Sequence, residues 1–218
     1  MREEWVATEV GRARVDWFPA ERHRATLVLG HGTATGVETA DLQALAQELP
    51  AHGITVALVT QPYRIEHDPA AADPASLDRA WTAAWARIAA TCPPGPVVAG
   101  GRSAGSQVAC RTAAGLGAAA VVVLAYPLQG PGSAAELTSA ALPTLVVQGG
   151  RDPFGTPADM PPLLRHMTLV EIPGANHMFL APSASASRGN LRAITSAVAT
   201  WLDAVLQTSA VGSTTDRR

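Results

Sequence analysis

The chain has 218 residues and no lysine, since all 16 of its basic residues are arginine. A Walker A phosphate loop, a pyridoxal-phosphate Schiff base, a Schiff-base aldolase and a Ser-Lys dyad all need a lysine amine, so the sequence excludes these four kinds of site. Charged residues are also scarce, at 16% of the chain with a formal net charge of −2. Because the arginines are scattered, the sequence shows no basic face and predicts no nucleic-acid partner.

Cysteine and long apolar runs are equally scarce. The two cysteines, Cys92 and Cys110, lie in neither a CxxC pair nor a zinc-ligand spacing, so we expect reduced thiols and no metal. The first ten residues contain no apolar signal core, and the longest apolar run, Ala118–Tyr126, is too short to span a bilayer. The sequence therefore predicts a cytoplasmic bacterial protein with no membrane partner.

Strand-like and helix-like patterns alternate along most of the chain, which predicts an α/β fold with a mostly parallel central sheet and helices on both faces. The opening pair of strands turns around Gly11 and is expected to be an antiparallel hairpin at a sheet edge. The predicted strands are Trp5–Val10, Ala13–Phe18, Ala25–Leu29, Ile54–Val59, Pro96–Ala99, Val121–Ala125, Thr144–Gln148 and Thr168–Ile172. The predicted helices are 39–49, one capped by Ser76, 104–114, 134–141, 157–166 and 189–206.

The sequence predicts one domain over residues 1–207 and a polar, disordered tail over 208–218. The connection from Tyr126 to Pro143 has room for one small helix, so no large cap domain is expected. A loop rich in proline and aspartate, residues 62–75, is the other long connection, and whether it covers the site is open at this point.

A nucleophile elbow is the strongest motif. Gly101-Arg102-Ser103-Ala104-Gly105 matches G-x-S-x-G, with a strand before it and a helix of small residues after it. On this sharp turn a serine hydroxyl is exposed above the sheet, and both glycines avoid collisions with the neighbouring strand and helix. The motif predicts Ser103 as a nucleophile; the alternative is an ordinary glycine-rich strand-helix turn.

The segment His31–Gly36 follows the first central strand. In a fold with a nucleophile elbow, the loop at this place supplies one N–H of an oxyanion hole, and the residue after the nucleophile supplies the other. These donors are predicted to be Thr33 and Ala104, and His31 is predicted to brace the loop. A dinucleotide fingerprint is the competing interpretation, but the spacing Gly30-x-Gly32-x-x-x-Gly36 is one residue too long for it.

Two later strand ends carry an acid and a base. Asp152 lies in Gly149–Pro153, and His177 ends Gly174-Ala175-Asn176-His177. Asp159 is the competing carboxylate, but it falls inside the predicted helix 157–166 and is expected to face solvent. Ser103, Asp152 and His177 follow the chain order nucleophile, acid, histidine on successive strand ends, and they are predicted to form a catalytic triad.

The stretches GGRSAGSQVACRTA, VVLAYPL, PTLVVQGGRDPFGTP and IPGANHMF together resemble the α/β-hydrolase superfamily over about residues 10–206. The chain is most similar to its small, lidless dienelactone-hydrolase-like group, and within that to bacterial relatives of the NSL-complex-subunit-three-like hydrolases. The usual GRSMGG elbow of that group is GRSAGS here, and the cysteine nucleophile of true dienelactone hydrolases is absent. The resemblance implies a single-domain α/β-hydrolase fold but no particular substrate, because the superfamily also includes peptidases, lactonases and non-catalytic members.

The expected activity is hydrolysis of carboxylic esters or related small acyl compounds, through an acyl-enzyme and with no cofactor. Two alternatives stay open: a binding or scaffold protein without turnover, and a peptidase or perhydrolase on the same triad. The expected cleft is shallow, with walls from residues 33–37, 62–68 and Tyr126–Leu128, and it predicts short acyl chains. Met178 and Phe179 either add an apolar edge or, as we favour, pack under the last helix.

Overall fold

Eight strands form one central sheet in the computed structural model, which describes residues 1–69, 72–129 and 132–215, with the backbone alone for 208–215. The strand order is β1-β2-β4-β3-β5-β6-β7-β8. The pairs β1–β2 and β2–β4 are antiparallel, and the other five pairs are parallel, as predicted. The strands are β1 Arg2–Thr8, β2 Gly11–Phe18, β3 Ala25–Gly30, β4 Ile54–Thr60, β5 Val97–Arg102, β6 Val121–Leu124, β7 Thr144–Gly149 and β8 Met167–Ile172.

Helices cover both faces of the sheet. They are α1 Ala40–Glu48, α2 Pro62–Ile65, α3 Pro74–Thr91, α4 Ala104–Thr112, α5 Ser133–Thr138 and α6 Ala184–Thr215. One face packs against α1 and α6, and the other against α3, α4 and α5. The central strands β3, β4, β6 and β7 are buried along their whole length, because side chains on both faces contact helices.

The helix α3 shows how local sequence sets an element. Its predicted apolar stripe is buried against the sheet: Leu77, Ala80, Trp81, Ala84, Trp85 and Ile88. Its predicted cap was wrong by three residues. Asp73 is the N-cap, and its carboxylate accepts the N–H of Ser76 at 3.1 Å, while Pro74 occupies the first helical position, where its missing N–H costs no bond.

Two predicted helices differ from the structure for backbone reasons. The helix expected over 157–166 is wrong beyond a single 3₁₀ turn, Pro157–Asp159. After Met160 come Pro161 and Pro162; neither has an N–H to donate, and each disfavours helical geometry in the residue before it. The helix expected over 134–141 ends at Thr138, and Ala141 adopts a left-handed conformation with φ of 51°.

The last helix is longer than predicted. It begins at Ala184 rather than at residue 189, and its backbone continues to Thr215, while residues 216–218 lie outside the described part of the chain. The predicted domain boundary at residue 207 stays a prediction. None of the helices in the described ranges is long and apolar enough to cross a membrane.

Candidate active site

Ser103 lies in a strained turn between a strand and a helix. The strand β5 ends at Arg102 and α4 begins at Ala104, and Ser103 between them has φ of 53° and ψ of −124°. A Cβ on Gly101 would lie 2.5 Å from the Gly105 carbonyl carbon, and a Cβ on Gly105 would lie 2.6 Å from that of Gly30. The predicted elbow geometry is therefore present, and it depends on glycine at both sites.

Gly105→Ala is expected to lower the free energy of unfolding by about 3 kcal/mol, because the new methyl group meets rigid backbone on β3. Gly189→Ala is the matched control. It lies inside α6 with nothing within 4 Å of the new methyl group, so it should raise stability by about 1 kcal/mol. Urea unfolding followed by circular dichroism measures both, and equal stability of the two variants would contradict the close packing of the elbow.

The three residues predicted as a triad lie in hydrogen-bond contact. His177 Nε2 is 3.0 Å from Ser103 Oγ, and His177 Nδ1 is 2.8 Å from Asp152 Oδ2. Asp152 is buried, and it follows β7 as predicted, whereas Asp159 is exposed and caps its own turn by accepting the N–H of Thr156. The side chain of Phe154 packs edge-on against the His177 ring, with 4.5 Å between centroids.

Gln148 orients the buried carboxylate, and sequence reasoning missed it. Its Nε2 donates to Asp152 Oδ2 at 3.1 Å, and the backbone N–H of Phe154 donates to Asp152 Oδ1 at 2.9 Å. The other end of the Gln148 amide accepts the N–H of Tyr126 at 2.8 Å. The available signal in the sequence was an amide side chain at the end of the predicted strand, directly after the apolar run Leu145–Val147 and four residues before Asp152.

His31 braces the loop after β3, as predicted. Its Nε2 accepts the N–H of Gln61 at 3.0 Å, so its Nδ1 carries the proton that it donates to the Gly32 carbonyl at 2.8 Å. Burial lowers the pKa of His31 and keeps the ring neutral. Tyr63 donates to the same carbonyl at 3.0 Å. These bonds hold the backbone that leads into Thr33.

Thr33 and Ala104 line the same cavity as Ser103. Within the described residues, no protein acceptor takes the backbone N–H of either one. Both groups are thus free to donate to a ligand beside the serine hydroxyl. Their role as an oxyanion hole stays a prediction.

The cavity above Ser103 is open and has a volume of about 350 Å³. Its apolar lining includes Pro127, Phe154 and Met178, and its polar lining includes Thr33, Thr35, Gln107 and Gln129. Residues 62–68 were predicted as a wall, and this was wrong: Pro62–Ile65 form α2, and Tyr63 is buried behind the loop it braces. The favoured prediction, that Met178 and Phe179 pack under the last helix, holds for Phe179, which is buried beside α6, and is wrong for Met178, which lines the cavity.

A buried ion pair lies beside the nucleophile. Arg102 Nε donates to Asp41 Oδ2 at 3.1 Å, and the two side chains are 2% and 1% exposed. Asp41 is in the first turn of α1, where the helix dipole favours a negative charge. Cys110, which lies within α4, is buried, and burial raises the pKa of its thiol to about 12, which leaves it an inert neutral thiol at pH 7.

The family model of the alpha/beta hydrolase domain matches residues 23–205. The chain therefore belongs to the α/β hydrolase family, and it is a hydrolase with a single-domain fold. No curated protein matches it in sequence.

Several solved structures of bacterial α/β hydrolases share this fold. An α/β serine hydrolase homologue from Coxiella burnetii is 17% identical, with a TM-score of 0.76 over 89% of this chain and 95% of that one. An α/β serine hydrolase without a lid from Xanthomonas campestris is 20% identical, with a TM-score of 0.75 over 92% of this chain and 94% of that one. A dienelactone hydrolase from Anabaena variabilis is 21% identical, with a TM-score of 0.74 over 92% of this chain and 95% of that one. At these identities the likeness concerns the fold alone.

Proposed function

We propose that this chain is a serine hydrolase of small, uncharged carboxylic esters, acting through an acyl-enzyme. The observation that carries the proposal is the continuous contact from Ser103 Oγ through the His177 ring to the buried Asp152 carboxylate, at 3.0 and 2.8 Å. Ser103 and His177 line an open cavity through which a substrate carbonyl has access to the serine. This order of hydroxyl, imidazole and carboxylate supports acyl transfer to the serine.

In the first half-reaction, Ser103 Oγ attacks the ester carbonyl carbon and passes its proton to His177 Nε2. The tetrahedral intermediate collapses, and His177 returns the proton to the leaving alcohol. In the second half-reaction a water molecule attacks the acyl-enzyme by the same route and releases the acid. Asp152 keeps the imidazole in the tautomer that accepts at Nε2, and its charge stabilises the imidazolium form.

The backbone N–H groups of Thr33 and Ala104 bind the oxyanion in this mechanism. Each donor is worth about 3 kcal/mol of transition-state stabilisation, because it is fixed in place before charge develops. His31 contributes by holding the loop in which Thr33 lies, rather than by proton transfer.

The lining of the cavity supports a short, neutral acyl group. Apart from His177, the one ionisable side chain that lines it among the described residues is Arg102, whose guanidinium is engaged with Asp41 and backbone. A charged substrate group would find no partner there, and burial of an unpaired charge is costly. The open cavity also offers a long acyl chain little apolar surface to contact.

The wild-type chain is expected to turn over p-nitrophenyl acetate, with kcat/KM falling about tenfold or more between two-carbon and sixteen-carbon acyl esters. The physical reason is that the cavity can surround only the first carbons of the acyl chain. Steady-state rates over a panel of chain lengths measure this directly.

Two results would contradict the proposal. No turnover of any ester in the panel would favour a binding or scaffold protein. A steep preference for the longest chains would require an acyl tunnel that the cavity does not provide.

A further inference from the structure

One buried cation, Arg102, contacts two of the loops that form the proposed site. Besides its ion pair with Asp41, Arg102 donates from Nη1 to Thr35 Oγ1 at 3.3 Å and from Nη2 to the His177 carbonyl at 2.6 Å. Its own backbone is bonded directly to Ser103. A single guanidinium therefore joins the nucleophile elbow, the loop that carries Thr33 and the backbone of His177.

These contacts need the shape of arginine. A guanidinium carries five N–H groups in a rigid plane, and Arg102 directs them to acceptors on three separate chain segments. Glycine at position 32 makes room for it, since a Cβ there would lie 3.2 Å from Arg102 Nη1 and 3.1 Å from Ser103 Cβ. The ammonium group of lysine is a compact point charge that cannot reach all three segments at once.

We propose that Arg102 is a positioning residue, which holds the His177 loop and the Thr33–Thr35 loop against Ser103, with Asp41 as its counter-ion. The inference rests on the proposed function, because it names the residue that sets the geometry of that site. It adds what Asp152 does not supply: Asp152 orients the His177 ring, whereas Arg102 fixes the backbone that carries the ring.

Loss of this contact should lower kcat rather than raise KM. A shift of about 1 Å between reacting groups costs about 100-fold in rate, while the other side chains that line the cavity are unchanged. The double variant Arg102→Met/Asp41→Leu separates this role from stability, because apolar residues in place of a buried ion pair are often neutral or stabilising. We expect a near wild-type Tm, a kcat about 100-fold lower and a KM within about threefold of wild type.

A second variant and a spectroscopic signal extend the test. Arg102→Lys keeps a cation beside Asp41, so the chain should fold. Its kcat should still fall at least about tenfold, because lysine lacks the planar guanidinium that reaches several acceptors at once. The low-field proton NMR signal of His177 Nδ1–H, hydrogen-bonded to Asp152, should shift or broaden in both variants. A loss of stability alone would leave this signal unchanged in the folded protein.

Arg111→Lys is the matched control. Arg111 also forms a forked ion pair, with Asp78 and Glu136, but it does so on the outer side of α4. We expect it to lower Tm and to leave kcat and the His177 signal unchanged. A wild-type kcat in Arg102→Lys, a raised KM in place of a lowered kcat, or an unchanged His177 signal would overturn the inference. Failure of the proposed function itself is distinguishable, because it would appear as no ester turnover by the wild-type chain or as activity that survives Ser103→Ala.

Discussion

Ser103→Ala should lower kcat/KM for p-nitrophenyl acetate by at least about 10⁴-fold, or about 5.5 kcal/mol of transition-state stabilisation. Without the hydroxyl no acyl-enzyme forms, and His177 can only activate water from a geometry built for serine. Oxyanion donors and substrate contacts remain, so the residual rate should still exceed the uncatalysed one. Initial rates at several substrate concentrations measure the loss.

Ser106→Ala is a suitable control for this experiment. Ser106 is fully buried one turn along α4, and its hydroxyl donates to the Ser103 carbonyl rather than into the cavity. The Ser106→Ala variant should be less stable than wild type, but its rate of ester hydrolysis should fall by less than tenfold. If the Ser103 variant kept more than a tenth of the wild-type activity, a different nucleophile would be at work.

Asp152→Asn should lower kcat by about 10³- to 10⁴-fold. The carboxylate accepts three hydrogen bonds, from His177 and Gln148 at Oδ2 and from the N–H of Phe154 at Oδ1. An asparagine has one oxygen and one NH₂ group, so in either orientation a donor faces a donor. The imidazolium also loses its counter-charge. Rates measured beside the Tm of the variant show whether the loss concerns catalysis or folding.

Asp159→Asn is the matched control, because it makes the same chemical change seven residues away. Asp159 is exposed, and its side chain caps the turn at Thr156, a role that asparagine also performs. Its activity should stay within about twofold of wild type. Equal losses at the two positions, or a loss at Asp159 alone, would reverse the assignment of the acid.

The sheet and the three residues in contact could be predicted because both depend on local patterns. Parallel strands place their carboxyl ends at one edge, so motifs that follow β5, β7 and β8 must converge there. Ser103, Asp152 and His177 each lie within a few residues of such a strand end. Their convergence thus follows from strand order and does not depend on particular contacts between side chains that are distant in sequence.

The supporting contacts could not be predicted, because they join residues that are distant in sequence. Arg102 and Asp41 are 61 positions apart, and nothing in the residues around Asp41 marks it as a counter-ion. The direction of residues 62–68 depends on Tyr63, whose hydroxyl reaches back to the Gly32 carbonyl. Both features follow from packing between elements, which the pattern of one segment does not contain.

Mass spectrometry after treatment with a fluorophosphonate tests the central claim most directly, because this reagent phosphonylates only a serine that a neighbouring base activates. The folded chain should gain one adduct, and peptide mapping should place it on Ser103. Asp152→Asn should react far more slowly, and Ser103→Ala should not react. No adduct on the wild-type chain, or an adduct on any other residue, would contradict the account.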